Sequence, residues 1–137
     1  MLMVKRFDSV DKALDYLKEM MSKYTEGVNE TIQILEEMKE RVNVKQALRE
    51  VLEESLNMKV QKPSNKIDLG GIALLMDPDE EAIVEEYIKV VEDVPRRKEA
   101  FEKLIAFFEK LSSKGVKAKV EILEVGGFPQ VVTVKIG

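Results

Sequence analysis

Apolar residues recur at helical spacing through most of this chain, whereas its C-terminal segment switches to a period of two. The alternating apolar positions lie on both sides of a turn at Gly126 and Gly127: Val116, Ala118, Val120, Ile122, Val132, Val134 and Ile136. Strict alternation around a glycine turn is typical of a β-hairpin. Because an isolated hairpin is marginal in water, it should pair with the segment near 67–76 or pack on helices. The chain is therefore expected to be α+β.

Helical spacing in the first part of the chain predicts three helices. The first helix would begin at an N-cap on Asp8 or Ser9 and end at Gly27, since glycine favours the conformation found just past a helix end. The second would begin near Asn29 and the third at Asn43, which has capping-box spacing. One continuous helix is the alternative, but the apolar phase breaks around 43–45, which favours a bend or break. The third helix has one apolar face: Val44, Ala47, Leu48, Val51, Leu52 and Leu56.

The second part of the chain combines a strand with two more helices. The apolar segment 67–76 predicts a strand, with Gly70 and Gly71 forming a bulge inside it. Asp77 would cap the fourth helix, with Pro78 at its first position. Pro95 would stand in the first turn of the fifth helix, which ends at Gly115. A short connection makes these two helices an antiparallel pair.

Together these elements predict an α+β fold of about five amphipathic helices packed on a small, mostly antiparallel sheet of three or four strands. With a short strand at 2–7, the order is β-α-α-α-β-α-α-β-β. The length of 137 residues is close to the commonest domain size, so we expect a single domain, 1–137. Its helical half would be 8–57, and 58–137 would contain the strand, the helix pair and the hairpin.

The composition restricts both the environment and the chemistry. Abundant Lys and Glu with few Asn and Gln resemble hyperthermophile proteins, although an ordinary helix-rich protein has the same bias. No secretory signal and no membrane-length apolar run are present, so a cytoplasmic protein without membrane association is expected. The chain has no His and no Cys, which removes the usual general base, thiolate nucleophiles and thiolate metal sites. We therefore expect no enzyme activity and no cofactor.

An acidic cluster is the remaining candidate for a metal. Asp77, Asp79, Glu80 and Glu81 offer the oxygen ligands that Mg²⁺ prefers, which would suit a carboxylate-dependent enzyme. Carboxylates at the start of a helix also cap it and interact favourably with its dipole, and that role explains them fully. The sequence therefore favours no metal here.

A basic cluster stands where the fifth helix begins. Arg96, Arg97 and Lys98 lie in a first turn, where the helix dipole disfavours cations. They are a candidate anion site for a phosphate or an acidic partner, bound jointly with free helix N–H groups. The alternative is local pairing with Glu92 and Asp93.

Lysines on the C-terminal hairpin form a second basic candidate. Lys117 and Lys119 project from one strand face, and Lys135 joins them if the register allows. Such a face can follow a nucleic-acid backbone, but those sites usually add aromatic platforms, and only Phe128 is nearby. A solvated strand face that blocks unwanted pairing is the alternative. A net charge of −4 does not favour nucleic acid as a partner either.

Three predicted helices carry broader apolar faces than surface helices need. The extra positions are Ile34, Val90, Val94 and Phe107. Either several helices pack centrally or one apolar face meets another chain. The sequence therefore predicts a non-enzymatic interaction protein that self-associates as a dimer and docks a second protein, with phosphate or nucleic-acid binding as the alternative.

Overall fold

The computed structural model describes residues 2–57 and 66–136, which form three helices and five strands. The elements in chain order are β1 (Leu2–Phe7), α1 (Val10–Leu56), β2 (Lys66–Asp68), β3 (Ala73–Leu75), α2 (Glu80–Val91), α3 (Val94–Ser113), β4 (Ala118–Val125) and β5 (Phe128–Ile136). One antiparallel sheet has the order β1-β4-β5, and β2 pairs with β3 in a second. The predicted α+β class with a small antiparallel sheet is confirmed.

The internal contacts divide the chain into two compact units, and the boundary passes through α1. Unit 1 comprises Met1–Val28 and Val94–Gly137, and unit 2 comprises Asn29–Asp93. The predicted single domain 1–137, with its halves 8–57 and 58–137, stays a prediction.

The prediction of about five helices is wrong, because the first three predicted helices form one continuous helix, α1. It begins where expected, since the Oγ of Ser9 accepts a hydrogen bond from the N–H of Lys12 at 3.2 Å. Gly27 and Asn43, the expected boundaries, both lie inside it. A glycine within a helix costs about 1 kcal/mol relative to alanine. A break would leave several backbone groups without partners, which is the larger cost.

Unit 1 packs the first part of α1 and α3 on one face of the three-stranded sheet. The predicted C-terminal hairpin is confirmed as β4 and β5, but the strand that joins it is β1, which pairs with β4 from Leu2↔Val125 to Phe7↔Val120. Alternate residues of β4 face the helices. The buried core residues are Val10, Ala13, Leu14, Leu17, Met20, Phe101, Phe108, Ala118, Val120 and Ile122.

Unit 2 packs the second part of α1 against α2 and carries the hairpin β2–β3. Its buried core consists of Leu35, Met38 and Val42 from α1 and Val84 from α2. This core is much smaller than that of unit 1.

The segment predicted as one bulged strand is a two-stranded hairpin with its own turn. The N–H of Leu69 donates to the carbonyl of Ile72 at 2.9 Å, and Gly70 and Gly71 take φ values of +76° and +96°. The Oδ1 of Asp68 accepts hydrogen bonds from both glycine N–H groups, at 3.0 and 3.1 Å. Two adjacent glycines supply the left-handed conformations that a two-residue hairpin turn requires. The main sheet has three strands, within the predicted three or four, but among the described residues the segment 67–76 belongs to a second, two-stranded sheet that the prediction did not contain.

Candidate functional site

Unit 2 exposes far more apolar side chain than it buries. Among the described residues of unit 2, four apolar ones are buried, whereas thirteen large ones are exposed: Ile34, Val44, Leu48, Val51, Leu52, Leu56, Ile67, Leu69, Ile72, Leu74, Met76, Tyr87 and Val90. We call these thirteen residues the unit 2 apolar surface. Unit 1 has the opposite balance, with ten buried apolar residues and six exposed large ones. Single exposed apolar residues are ordinary, but this concentration is typical of an interaction surface.

The C-terminal part of α1 contributes the longest part of this surface. Val44, Leu48, Val51, Leu52 and Leu56 are between 40% and 70% exposed, and we call these five residues the α1 stripe. The sequence assigned them the apolar face of a third helix, and the structure leaves that face open. The reason is that α2 packs against a different side of α1 from Val44, Leu48 and Val51, so these three residues have no covering element among the described residues.

The hairpin β2–β3 contributes a second part. Ile67 and Leu74 are cross-strand partners on one face and are both exposed. On the opposite face, the Nζ of Lys66 lies 2.7 Å from the Oε1 of Glu86 in α2. The hydrogen bond from Lys66 lowers the pKa of Glu86 below its ordinary value. This ion pair attaches the hairpin to α2 by one face, while the other face presents apolar side chains.

The acidic cluster Asp77, Asp79, Glu80 and Glu81 lies at the start of α2, and two of its members contact α1. Asp79, rather than the expected Asp77, is the N-cap of α2, and it accepts a hydrogen bond from the N–H of Ala82 at 2.9 Å. Three further contacts reach α1: Glu80 to Arg41 Nε at 2.7 Å, Glu81 to Arg49 Nη1 at 3.2 Å and Glu81 to Gln46 Nε2 at 3.1 Å. Within residues 2–57 and 66–136, no group of three or more acidic side chains is arranged to hold a metal ion. The magnesium hypothesis gains no support here.

The predicted anion site lies at the start of α3 in unit 1. Arg96, Arg97 and Lys98 are all exposed. The guanidinium of Arg97 lies over the ring of Phe128 at 5.3 Å from its centroid, within the range of a cation–π interaction. Packing within unit 1 therefore accounts for Arg97, and anion binding at this cluster stays a prediction.

The lysines of the hairpin occupy a face of mixed charge. Lys119 and Lys135 are cross-strand partners, while Lys117 precedes β4. The Oε1 of Glu121 lies 3.7 Å from Lys135 Nζ and 3.5 Å from Arg6 Nε. A carboxylate between the cations reduces the positive potential that a nucleic-acid backbone would need. Nucleic-acid binding through these lysines stays a prediction.

The four predicted interface residues fall in both units. Ile34 and Val90 belong to unit 2 and are 51% and 72% exposed. Val94 is half-buried in unit 1, and Phe107, in the same unit, is 48% exposed with its ring edge-on to Phe108. The structure thus places Ile34 and Val90 in the unit that has the large apolar surface.

Sequence reasoning missed a buried carboxylate in unit 1. Glu124 is only 7% exposed, and it accepts hydrogen bonds from the hydroxyl of Tyr16 at 2.7 and 2.8 Å. Burial and this hydrogen bond raise the pKa of Tyr16 to about 12. A cavity of about 320 Å³, which Lys23 and Tyr24 also line, adjoins the pair. The only signal in the sequence was that Glu124 follows Val120 and Ile122 at inward-facing intervals.

No helix among the described residues is both long enough and apolar enough to cross a membrane. Comparison of the chain with models of known protein families, with curated proteins and with solved structures gives no significant match.

Proposed function

We propose that this protein is a non-enzymatic interaction protein that self-associates as a dimer through the unit 2 apolar surface. The observation that carries the proposal is the imbalance between four buried and thirteen exposed large apolar residues among the described residues of this unit. Each Å² of apolar surface removed from water contributes about 25 cal/mol. Association of unit 2 with another copy therefore has a large source of free energy that folding of the single chain leaves unused.

The chemistry of the chain also favours an interaction role. Without His or Cys, the chain lacks the residues used most often as general bases and covalent nucleophiles. Glu80 and Glu81 of the acidic cluster in unit 2 are engaged in contacts between α1 and α2. The charged residues around the apolar surface would set specificity, as polar rims do in protein interfaces.

Sedimentation velocity and light scattering at tens of micromolar test the proposal. Glutamate is introduced at three separate places on the unit 2 apolar surface, as Leu48→Glu on α1, Ile72→Glu on the hairpin and Val90→Glu on α2. Phe107→Glu is the matched control, because Phe107 is an exposed apolar residue of unit 1. We expect a wild-type dimer, a monomer for at least one unit 2 variant, and a dimer for the control.

Two results would overturn this proposal. The first is a monodisperse wild-type monomer at these concentrations. The second is a dimer that survives all three unit 2 substitutions, since the interface would then lie elsewhere. Circular dichroism of each variant checks that the fold is retained.

A further inference from the structure

Three residues of the α1 stripe have the spacing of a coiled-coil seam. Val44, Leu48 and Val51 follow one another at intervals of four and three residues, and the polar residues Arg41 and Ser55 occupy the next positions at the two ends of the series. Alternating intervals of four and three keep side chains along one line of a helix that faces a second helix. Leu52 stands beside this line. Val44, Leu48 and Val51 therefore form a short seam that fits one partner helix, whereas Leu56, the last residue of the α1 stripe, lies about 120° around the helix axis from Val44.

This seam points away from the helix that α1 already contacts. Val42, which packs in the buried core with α2, lies about 120° around the helix axis from Leu48. Val44 and Leu48 are 70% and 60% exposed. A helix can therefore approach the seam without displacing α2 from α1.

The charges that flank the seam identify the partner. Glu40 and Glu54 stand on one flank with Ala47 between them, and Lys45 stands on the other flank with Leu52. All five side chains are exposed. When two identical helices pair in parallel, a residue on the flank of Glu40 faces a residue on the flank of Lys45 of the other helix. The facing residue has a number higher by five. Glu40 of one copy then faces Lys45 of the other, twice in each dimer, and Ala47 faces Leu52.

An antiparallel pair of the same helices would place equal flanks together. The flank that carries Glu40 and Glu54 would then face another flank with the same negative charges, which costs free energy. From this asymmetry we infer that the α1 stripe pairs in parallel with the α1 stripe of a second copy of this chain. The inference rests on the proposed self-association, and it assigns the contact surface and the orientation of the two copies.

Single cysteines test the orientation, because the natural chain contains none. The variants are Val44→Cys and Val51→Cys on the seam, with Glu50→Cys as the control at an exposed position on another side of α1. In a parallel pair, identical seam positions face each other, so both seam variants should form disulfide-linked dimers under mild oxidation and the control should not.

An antiparallel pair gives a different pattern of crosslinks. The two seam positions are about 10 Å apart along the helix. A disulfide needs Cα atoms within about 7 Å. At most one of the two variants would then crosslink to itself, or the two would crosslink only to each other when mixed. That pattern, or a dimer without any seam crosslink, would overturn the inference and leave the proposed self-association intact. A monomeric protein would overturn both.

A charge exchange tests the pairing of Glu40 with Lys45 independently. Lys45→Glu and Glu40→Lys should each raise the dissociation constant about threefold to tenfold, because two pairs per dimer become repulsive. The double variant Glu40→Lys/Lys45→Glu restores opposite charges, and its dissociation constant should return to the wild-type value. Two single effects that add in the double variant would contradict a parallel pair.

Discussion

Replacing Leu48 with alanine should raise the dissociation constant of the dimer about a hundredfold. The substitution removes three carbon groups, which are worth about 2.4 kcal/mol when they pass wholly from water into an apolar contact. Because Leu48 is 60% exposed in the single chain, association would bury roughly that fraction, about 1.4 kcal/mol. A symmetric dimer contains two copies, so the loss is about 3 kcal/mol, and each 1.4 kcal/mol corresponds to a factor of about ten.

Sedimentation equilibrium over a dilution series measures this change directly. Leu2→Ala is the matched control, since it is the same substitution at an exposed leucine of unit 1. We expect the dissociation constant of the control to stay close to that of the wild type. The free energy of unfolding of the single chain should change little in either variant, because substitutions at exposed positions usually alter it by about 0.5 kcal/mol or less.

A dissociation constant for Leu48→Ala within about threefold of the wild type would refute the reasoning, because the seam would then contribute little of the binding free energy. A larger effect of Leu2→Ala would instead assign the interface to the exposed face of the three-stranded sheet, where Leu2 is the cross-strand partner of Val125.

Three further predictions concern the interior of each unit. Tyr16→Phe should lower the free energy of unfolding, measured in urea, by about 1 to 3 kcal/mol, since Glu124 would stay buried without its hydrogen-bond donor. Tyr87→Phe is the control at an exposed tyrosine. Equal losses in both variants would contradict a stabilising role for the pair of Tyr16 and Glu124. The pKa of Tyr16 is raised from 10.0 to about 12, so its contribution to the free energy of unfolding is fully present below pH 10 and is lost as the pH rises through 12. Urea unfolding across this range should show the difference in stability between the wild type and Tyr16→Phe becoming smaller. A difference that stays constant with pH would contradict this prediction. Asp79→Ala should lower the free energy of unfolding by about 1 kcal/mol by removing the N-cap of α2, whereas Asp79→Asn keeps an acceptor and should retain most of it; hydrogen exchange that stays slow in the first turn of α2 after Asp79→Ala would argue against the cap.

The elements that the sequence predicted correctly depend on residues that are close together in the chain. The alternation in the C-terminal segment predicted β4 and β5, and Ser9 marked the start of α1. Gly115 marked the end of α3, where it takes φ +66° and the N–H of Val116 donates to the carbonyl of Leu111 at 3.0 Å. Each of these signals depends on a local backbone conformation or hydrogen bond, so neighbouring residues are enough to establish it.

The boundaries inside α1 show how a local signal can be real and still be misinterpreted. Gly27 was expected to end a helix, yet the helix continues through it. The boundary between the two units nevertheless falls between Val28 and Asn29 in the chain. Gly27 therefore stands next to the point where α1 passes from one unit to the other. Helix continuity depends on the whole series of backbone hydrogen bonds, whose combined free energy exceeds the cost of one glycine.

The sequence by itself determined the α+β class, the C-terminal hairpin and the amphipathic character of each helix. Only the tertiary structure decided which apolar faces are covered. The pattern of Val44, Leu48 and Val51 is the same whether these residues fill a core or face outward, because periodicity records that a face is apolar and not what lies against it. Burial of Glu124 beside Tyr16 was decided in the same way, by contact between α1 and β4 across more than a hundred residues of chain. Burial of apolar side chains in contacts between distant residues supplies most of the free energy of folding, and these contacts form only when the chain folds.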